Sequence, residues 1–218
     1  MSSSPWPVWD RPVRFMHWYF PVALGFMWWS GEQGYTLWHS WCGYSLIVIA
    51  ATRLLWGIVG SYHTRFSTFL KGPKVVVDYL RGRWKVKSGH NPLGGWASLL
   101  LVFMVLNQGA TGLFTSDDIA FEGPLAYWGG QWSSTLSELH HLNWAVLQGL
   151  VVLHLLAVAF HQWVRKEPLI QGMWRGQSPN YEGEAAPAPV WKALLVLVVV
   201  STLLYGVIAL APQAPAYY

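Results

Sequence analysis

The sequence predicts an all-α integral membrane protein, because charged residues are scarce, apolar residues abundant, and tryptophan and tyrosine in excess. Only 11% of the 218 residues are charged and 53% are hydrophobic, whereas about a quarter of a soluble domain is charged. The 16 Trp and 10 Tyr residues are of the two types that settle at the lipid headgroup level. This composition argues strongly against a water-soluble enzyme, and the net charge of +4 is too small to suggest a nucleic-acid partner.

Five apolar runs are long enough to cross a hydrocarbon core, which takes about 20 helical residues. Arg53, near the end of the second run, is the only Asp, Glu, Lys or Arg residue within them. We expect residues 177–190, rich in Gly, Pro and Ala, to form a linker between a main domain, residues 1–176, and a fifth transmembrane helix with its tail, residues 191–218. The runs cover residues 15–31, 37–57, 94–114, 139–164 and 193–211.

The positions of Lys and Arg predict the orientation in the membrane. Five spans place the termini on opposite sides, and with a cytoplasmic N-terminus all 14 Lys and Arg residues lie on or near the cytoplasmic side. We therefore expect a multi-pass protein of a cytoplasmic (inner) membrane, with a periplasmic C-terminus. The segments on the periplasmic side contain acidic residues and no Lys or Arg: Glu32, Asp117, Asp118, Glu122 and Glu138.

Six of the eight histidines lie inside the predicted spans or at their ends, where an ionisable side chain indicates a functional site by default. His140 and His154 are 14 residues apart, which places them about 40° from alignment on one helix face and about 21 Å apart along the axis. His39 begins the second helix near the outer side, and His17 begins the first near the inner side. Two pairs follow, His39 with His140 and His17 with His154. The helix angle favours His140 over its neighbour His141, although a kink would exchange them.

Two facing imidazoles at each of two membrane depths suit two haem b groups, because neutral imidazole is a common axial haem ligand. With a single cysteine, Cys42, the chain cannot form a Cys-x-x-Cys-His site, so the haems would be held without covalent bonds. The fold class is then a four-helix haem-binding bundle plus a fifth, C-terminal transmembrane helix. Arg14 and Arg53 are candidates to bind haem propionates, although arginines at these depths also extend to the lipid headgroups. A haem-free metal transporter is the competing interpretation, and it fits less well because the spans contain no carboxylates.

Several motifs resemble the bacterial di-haem cytochrome b family, which includes the cytochrome b subunits of nickel-iron hydrogenases. They are VWDRPVRFMHW around His17, HSWCGY and RLLWGIVG around His39 and Arg53, GHNPLGG at residues 89–95, and the 14-residue spacing of His140 and His154. The resemblance covers residues 8–176. It implies a four-helix core in a bacterial inner membrane, two haems b with four His ligands from helices one, two and four, and electron exchange with ubiquinone or menaquinone.

The sequence leaves two electron-transfer roles open. One is an independent cytochrome that passes electrons from quinol to a basic periplasmic c-type cytochrome, which an acidic outer surface would attract. The other is the membrane anchor of a larger oxidoreductase such as a hydrogenase, with electrons running from the partner subunit to quinone. At the inner interface, His161, His90 and Asn91 are weak candidates for a quinone site.

Overall fold

The part of the chain that the structure describes folds into helices and contains no β-sheet. The computed structural model describes residues 7–84, 91–116, 121–177 and 185–212. A π-helical segment, Phe160–Val164, directly follows the α-helix that ends at Ala159. Within the described residues the only β-type pairing is an isolated bridge between Ser116 and Glu122. The helices are α1 (Arg11–Glu32), α2 (Thr36–Val59), α3 (Phe66–Phe69), α4 (Pro73–Leu80), α5 (Pro92–Gly112), α6 (Ala126–Gly129), α7 (Ser133–Ala159), α8 (Leu169–Arg175) and α9 (Val190–Leu210).

Four helical segments are long and apolar enough to cross a membrane, so the prediction of an all-α membrane protein is confirmed. They are Thr36–Val59, Pro92–Gly112, Ala126–Val164 and Val190–Leu210. Helix α1 covers the first predicted span and has 22 residues, which is long enough to cross, but it is less apolar than these four. The five-span count, and with it the orientation of the termini, therefore stays a prediction.

Helix α2 is the central helix of the bundle. It packs against α1, α5 and α9, whereas α7 packs along α5 and approaches α1 and α2 at few points. The contact between α2 and α5 is close at Gly109, where a Cβ atom would overlap the side chain of Ile47. On α7 only Asn143 and Leu147 are buried, which makes α7 a peripheral helix of the isolated chain.

The fifth predicted span forms α9, which docks on α2 and α1. Its buried residues are Ala193 and Val200, and Ala193 joins a core cluster with Met16 and Trp56. Small side chains at the contact let the helices approach closely. The remaining faces of α9 expose Leu and Val side chains, as a helix surrounded by lipid does.

A buried carboxylate ties the start of α1 to the end of α2. Asp10 is 2% exposed and caps α1, since its Oδ1 accepts from the Val13 amide at 2.9 Å. Its Oδ2 accepts from Trp56 Nε1 at 2.8 Å and from Ser61 Oγ at 2.5 Å. Ser61 Oγ also accepts from the Ala188 amide at 2.8 Å. This group of four, the Asp10 cluster (Asp10, Trp56, Ser61 and Ala188), joins the segment before α9 to the first two helices.

Candidate functional site

The four histidines singled out from the sequence lie in two pairs at two depths of the bundle. The ring centres of His39 on α2 and His140 on α7 are 6.5 Å apart, with the rings tilted by 73°. The ring centres of His17 on α1 and His154 on α7 are also 6.5 Å apart, with a tilt of 61°. We call these the outer pair (His39 and His140) and the inner pair (His17 and His154).

Each pair has the spacing that one shared metal atom requires. A metal bound by two imidazoles lies about 2 Å from each nitrogen, so the two ring centres come to lie roughly 6 Å apart. At 6.5 Å both pairs therefore fit a bis-imidazole haem iron.

The outer pair borders a cavity of about 370 Å³. Glycines leave room for both rings, because a Cβ atom at Gly112 would lie 2.9 Å from His140 Cε1 and one at Gly31 would lie 3.3 Å from His39 Cε1. Tryptophan and aliphatic side chains form much of the remaining wall. The lining includes Leu24, Met27, Gly43, Leu46, Val105, Gln108, Leu113 and Trp144.

Hydrogen bonds orient both rings of the outer pair. His39 Nδ1 donates to the Met27 carbonyl at 3.1 Å, and His140 Nδ1 donates to the Gln108 carbonyl at 2.9 Å. A proton on Nδ1 leaves Nε2 as the lone-pair nitrogen that binds a metal, and such a donated hydrogen bond also raises the basicity of the ligand. The backbone thus fixes the ligating tautomer on both sides of the outer pair.

A polar network on α5 and α7 surrounds His140, and the sequence reasoning missed it. Asn143, 6% exposed, accepts from Asn107 Nδ2 at 2.9 Å and donates to Gln108 Oε1 at 2.6 Å. Gln108 Nε2 lies 3.1 Å from His140 Nε2, so metal binding at that nitrogen requires the Gln108 carboxamide to move aside. The sequence feature that could have predicted this network is the presence of Asn107, Gln108 and Asn143 within otherwise apolar runs, because buried amides must find hydrogen-bond partners.

The inner pair is held differently. His17 Nδ1 is buried and has no hydrogen-bond partner among the described residues. The His17 ring instead packs edge-on against Trp18, with ring centres 5.1 Å apart. The inner pair therefore lacks, on the His17 side, the backbone hydrogen bond that orients each ring of the outer pair.

Both propionate candidates bind groups of the protein itself. The Arg14 guanidinium donates to the carbonyls of Met173 and Trp174. Arg53, 5% exposed, has Nη1 3.5 Å from the Thr64 carbonyl and its guanidinium carbon 5.4 Å from the centre of the Phe66 ring. Their role toward propionates stays a prediction.

Two of the three quinone-site candidates, His161 and Asn91, lie among the described residues, and each contacts a residue close to it in the chain. His161 Nδ1 lies 2.8 Å from Glu167 Oε2, in the π-helical segment that ends α7. Asn91 caps α5, with its Oδ1 accepting from the Gly94 amide at 2.6 Å. His90 lies outside the described residues.

Replacing Gly112 by alanine should disturb the outer pair alone. The new methyl group would lie 2.9 Å from His140 Cε1, inside van der Waals contact, so the imidazole must shift by a few tenths of an ångström. We expect altered electron paramagnetic resonance g-values for one low-spin haem signal. The matched control is Gly149→Ala on α7, where a Cβ atom meets nothing within 4 Å. Identical spectra for wild type and Gly112→Ala would contradict the placement of a haem at this pair.

Comparison with known protein families identifies the chain. Residues 8–176 match the family model described as prokaryotic cytochrome b561, a stretch that contains both histidine pairs and ends before α9. No curated protein and no solved structure gives a significant match. Among the described residues, no group of three or more His, Cys, Asp or Glu side chains is placed to hold a metal ion. The chain belongs to the prokaryotic cytochrome b561 family and is a membrane b-type cytochrome that binds haem b and transfers electrons.

Proposed function

We propose that this cytochrome carries electrons between the quinone pool and a periplasmic c-type cytochrome through two haems, one at each histidine pair. The observation that supports this proposal is the presence of two imidazole pairs with the same ring-centre separation of 6.5 Å. Their ligands on α7 are separated by about 21 Å of helix rise. Two sites at two depths form a path for electrons across the hydrocarbon core.

A haem b with two imidazole ligands supplies a one-electron couple with no open iron position. The residues of the chain hold and shield it. The Met27 and Gln108 carbonyls orient the outer imidazoles, and the apolar lining of the outer cavity limits access of water. Because the carbonyls and imidazoles all belong to helices, the protein around the iron would rearrange little when the charge of the iron changes.

The two sites should differ in reduction potential. Donation from Nδ1 to a carbonyl increases the electron density on a ligand, and this favours the oxidised iron. Both outer imidazoles make such bonds, whereas His17 makes none among the described residues. We expect a spectroelectrochemical titration to resolve two steps separated by tens of millivolts, with the outer site lower. In the His39→Ala variant the lower step should disappear; disappearance of the upper step would reverse the assignment.

We place the quinone contact at the inner interface, where His161 lies seven residues after His154. The contact of His161 Nδ1 with Glu167 Oε2 at 2.8 Å holds the ring so that Nε2 can accept a proton. His161 is only partly exposed, as a group between bilayer and water would be. Ubiquinol and menaquinol both release protons when they are oxidised, so an acceptor at this depth suits either quinone.

The periplasmic partner is proposed from charge. The segments that we place outside contain no Lys or Arg but do contain Glu32, Glu122 and Glu138. An acidic surface of this kind accelerates association with a basic protein. In proteoliposomes, added quinol should reduce the haems, and transfer to a basic c-type cytochrome should slow at least several-fold between low and physiological ionic strength. An acidic c-type cytochrome is the matched control, and it should react slowly at every salt concentration. A rate with the basic cytochrome that does not depend on salt would contradict the proposed partner.

A further inference from the structure

A second cavity lies at the opposite end of the molecule from the outer pair. It has a volume of about 460 Å³ and lies between the start of α1, the end of α8 and the start of α9. Arg11, Arg14 and Arg175 contribute to its walls. We propose that this cavity, the arginine cavity, binds the phosphate of an anionic phospholipid headgroup.

The arginine cavity is electrically positive. None of its three arginines forms an ion pair with a described carboxylate; the ion pairs of the described residues involve Glu167. Asp10 also lines the cavity, but it is 2% exposed, and its oxygens accept from Val13, Trp56 and Ser61. The charges that remain available to a ligand are therefore cationic.

The three arginines have different parts in this site. The Arg14 guanidinium is fixed by the Met173 and Trp174 carbonyls, so it contributes charge from a rigid position. Arg11 and Arg175 are exposed and can close on a ligand. A planar guanidinium matches two phosphate oxygens at once, which favours phosphate over a simple halide ion.

The aromatic residues around the arginine cavity place it at the depth of lipid headgroups. Trp174 is 65% exposed and Trp191 is 60% exposed, one at the end of α8 and the other at the start of α9. Exposed tryptophans collect at the membrane interface because their rings are amphipathic. Basic pockets between helices at this depth are where anionic lipid headgroups bind.

The arginine cavity is distinct from the inner histidine pair. Arg11 precedes His17 by six residues on α1, which turns it about 120° away from the His17 face. No histidine lines the cavity. A ligand bound between Arg11 and Arg175 therefore need not be a haem propionate.

Native mass spectrometry from nanodiscs tests the proposal on the haem-containing protein. The nanodiscs contain phosphatidylcholine with a minority of phosphatidylglycerol, and the readout is the lipid that stays bound. The test variant is Arg11→Gln/Arg175→Gln. Its matched control is Arg81→Gln/Arg83→Gln, which removes the same charge from two exposed arginines that follow the end of α4.

We expect wild type and control to retain phosphatidylglycerol selectively and the test variant to bind it about tenfold more weakly, because each arginine near a lipid surface contributes to binding. The single variant Arg175→Gln should show a smaller loss, which guards against misfolding of the double variant. Equal loss in the control, or no preference over phosphatidylcholine, would overturn the proposal. Displacement of the lipid by millimolar inorganic phosphate would assign the cavity to free phosphate and also overturn it. The haem spectrum of each sample reports separately on the histidine pairs.

Discussion

Under the proposed two-haem function, replacing His140 by alanine should lower the haem content of the purified protein from two haems per chain to one. The outer pair would lose one of its two proposed ligands, and we expect no replacement from His141, which also lines the cavity but is exposed. The inner pair, whose ligand His154 lies about 21 Å further along α7, should keep its haem. His39→Ala should give the same result, because both substitutions remove a ligand of one site. The measurement is a pyridine haemochrome assay against protein concentration.

The matched control for this experiment is His141→Ala. His141 is the next residue on α7, its side chain is exposed, and its ring centre lies 6.1 Å from that of His140. We expect it to retain both haems. Unchanged haem content in His140→Ala would contradict the assignment of the outer pair. Loss of one haem in His141→Ala would indicate that His141 is the ligand.

The Asp10→Ala substitution should have the largest effect on stability. It removes the cap of α1, which contributes about 1 kcal/mol, and leaves the buried Trp56 N–H without a partner, which costs about 1–3 kcal/mol. Ser61 Oγ loses its acceptor in the same change. We expect a loss of about 2–4 kcal/mol in the free energy of unfolding, read as a lower thermal midpoint of the purified protein.

Two variants make the Asp10 measurement specific. Asp10→Asn keeps an oxygen that can accept from Val13 or Trp56, so its destabilisation should be smaller. Glu138→Ala removes an exposed carboxylate at the other end of the molecule and should melt within error of wild type, since surface substitutions change stability little. If Asp10→Ala also melted like wild type, the Asp10 cluster would contribute no net stability.

The parts of the site that the sequence predicts are those set by helix periodicity. His140 and His154 lie 14 residues apart on one helix, so their common face follows from 3.6 residues per turn. The choice of His140 over His141 follows from the same angle. In the structure the ring centres of His39 and His140 are 6.5 Å apart, with the rings tilted by 73°, while the role of these rings as haem ligands stays a proposal.

The parts that the sequence does not reveal depend on contacts between distant segments. In the sequence Asp10 is an acid two residues before a proline, Pro12, and its partners Trp56 and Ser61 are 46 and 51 residues away. The docking of α9 on α2 cannot be predicted from an apolar run that contains no charged residue and no histidine. Likewise, Arg14 is a propionate candidate by its position, but its carbonyl partners belong to α8. This helix has only seven residues, too few for a hydrophobic repeat to predict it.

The one-sided packing of α7, against α5, has a consequence for assembly. This helix supplies one imidazole to each pair but touches α1 and α2 at few points, so a metal shared across a pair would join it to the rest of the bundle. A ligand that binds only the folded arrangement stabilises that arrangement by mass action. Haem held at the two pairs would then also stabilise the contact of α7 with α1 and α2, so loss of haem should loosen one side of the bundle.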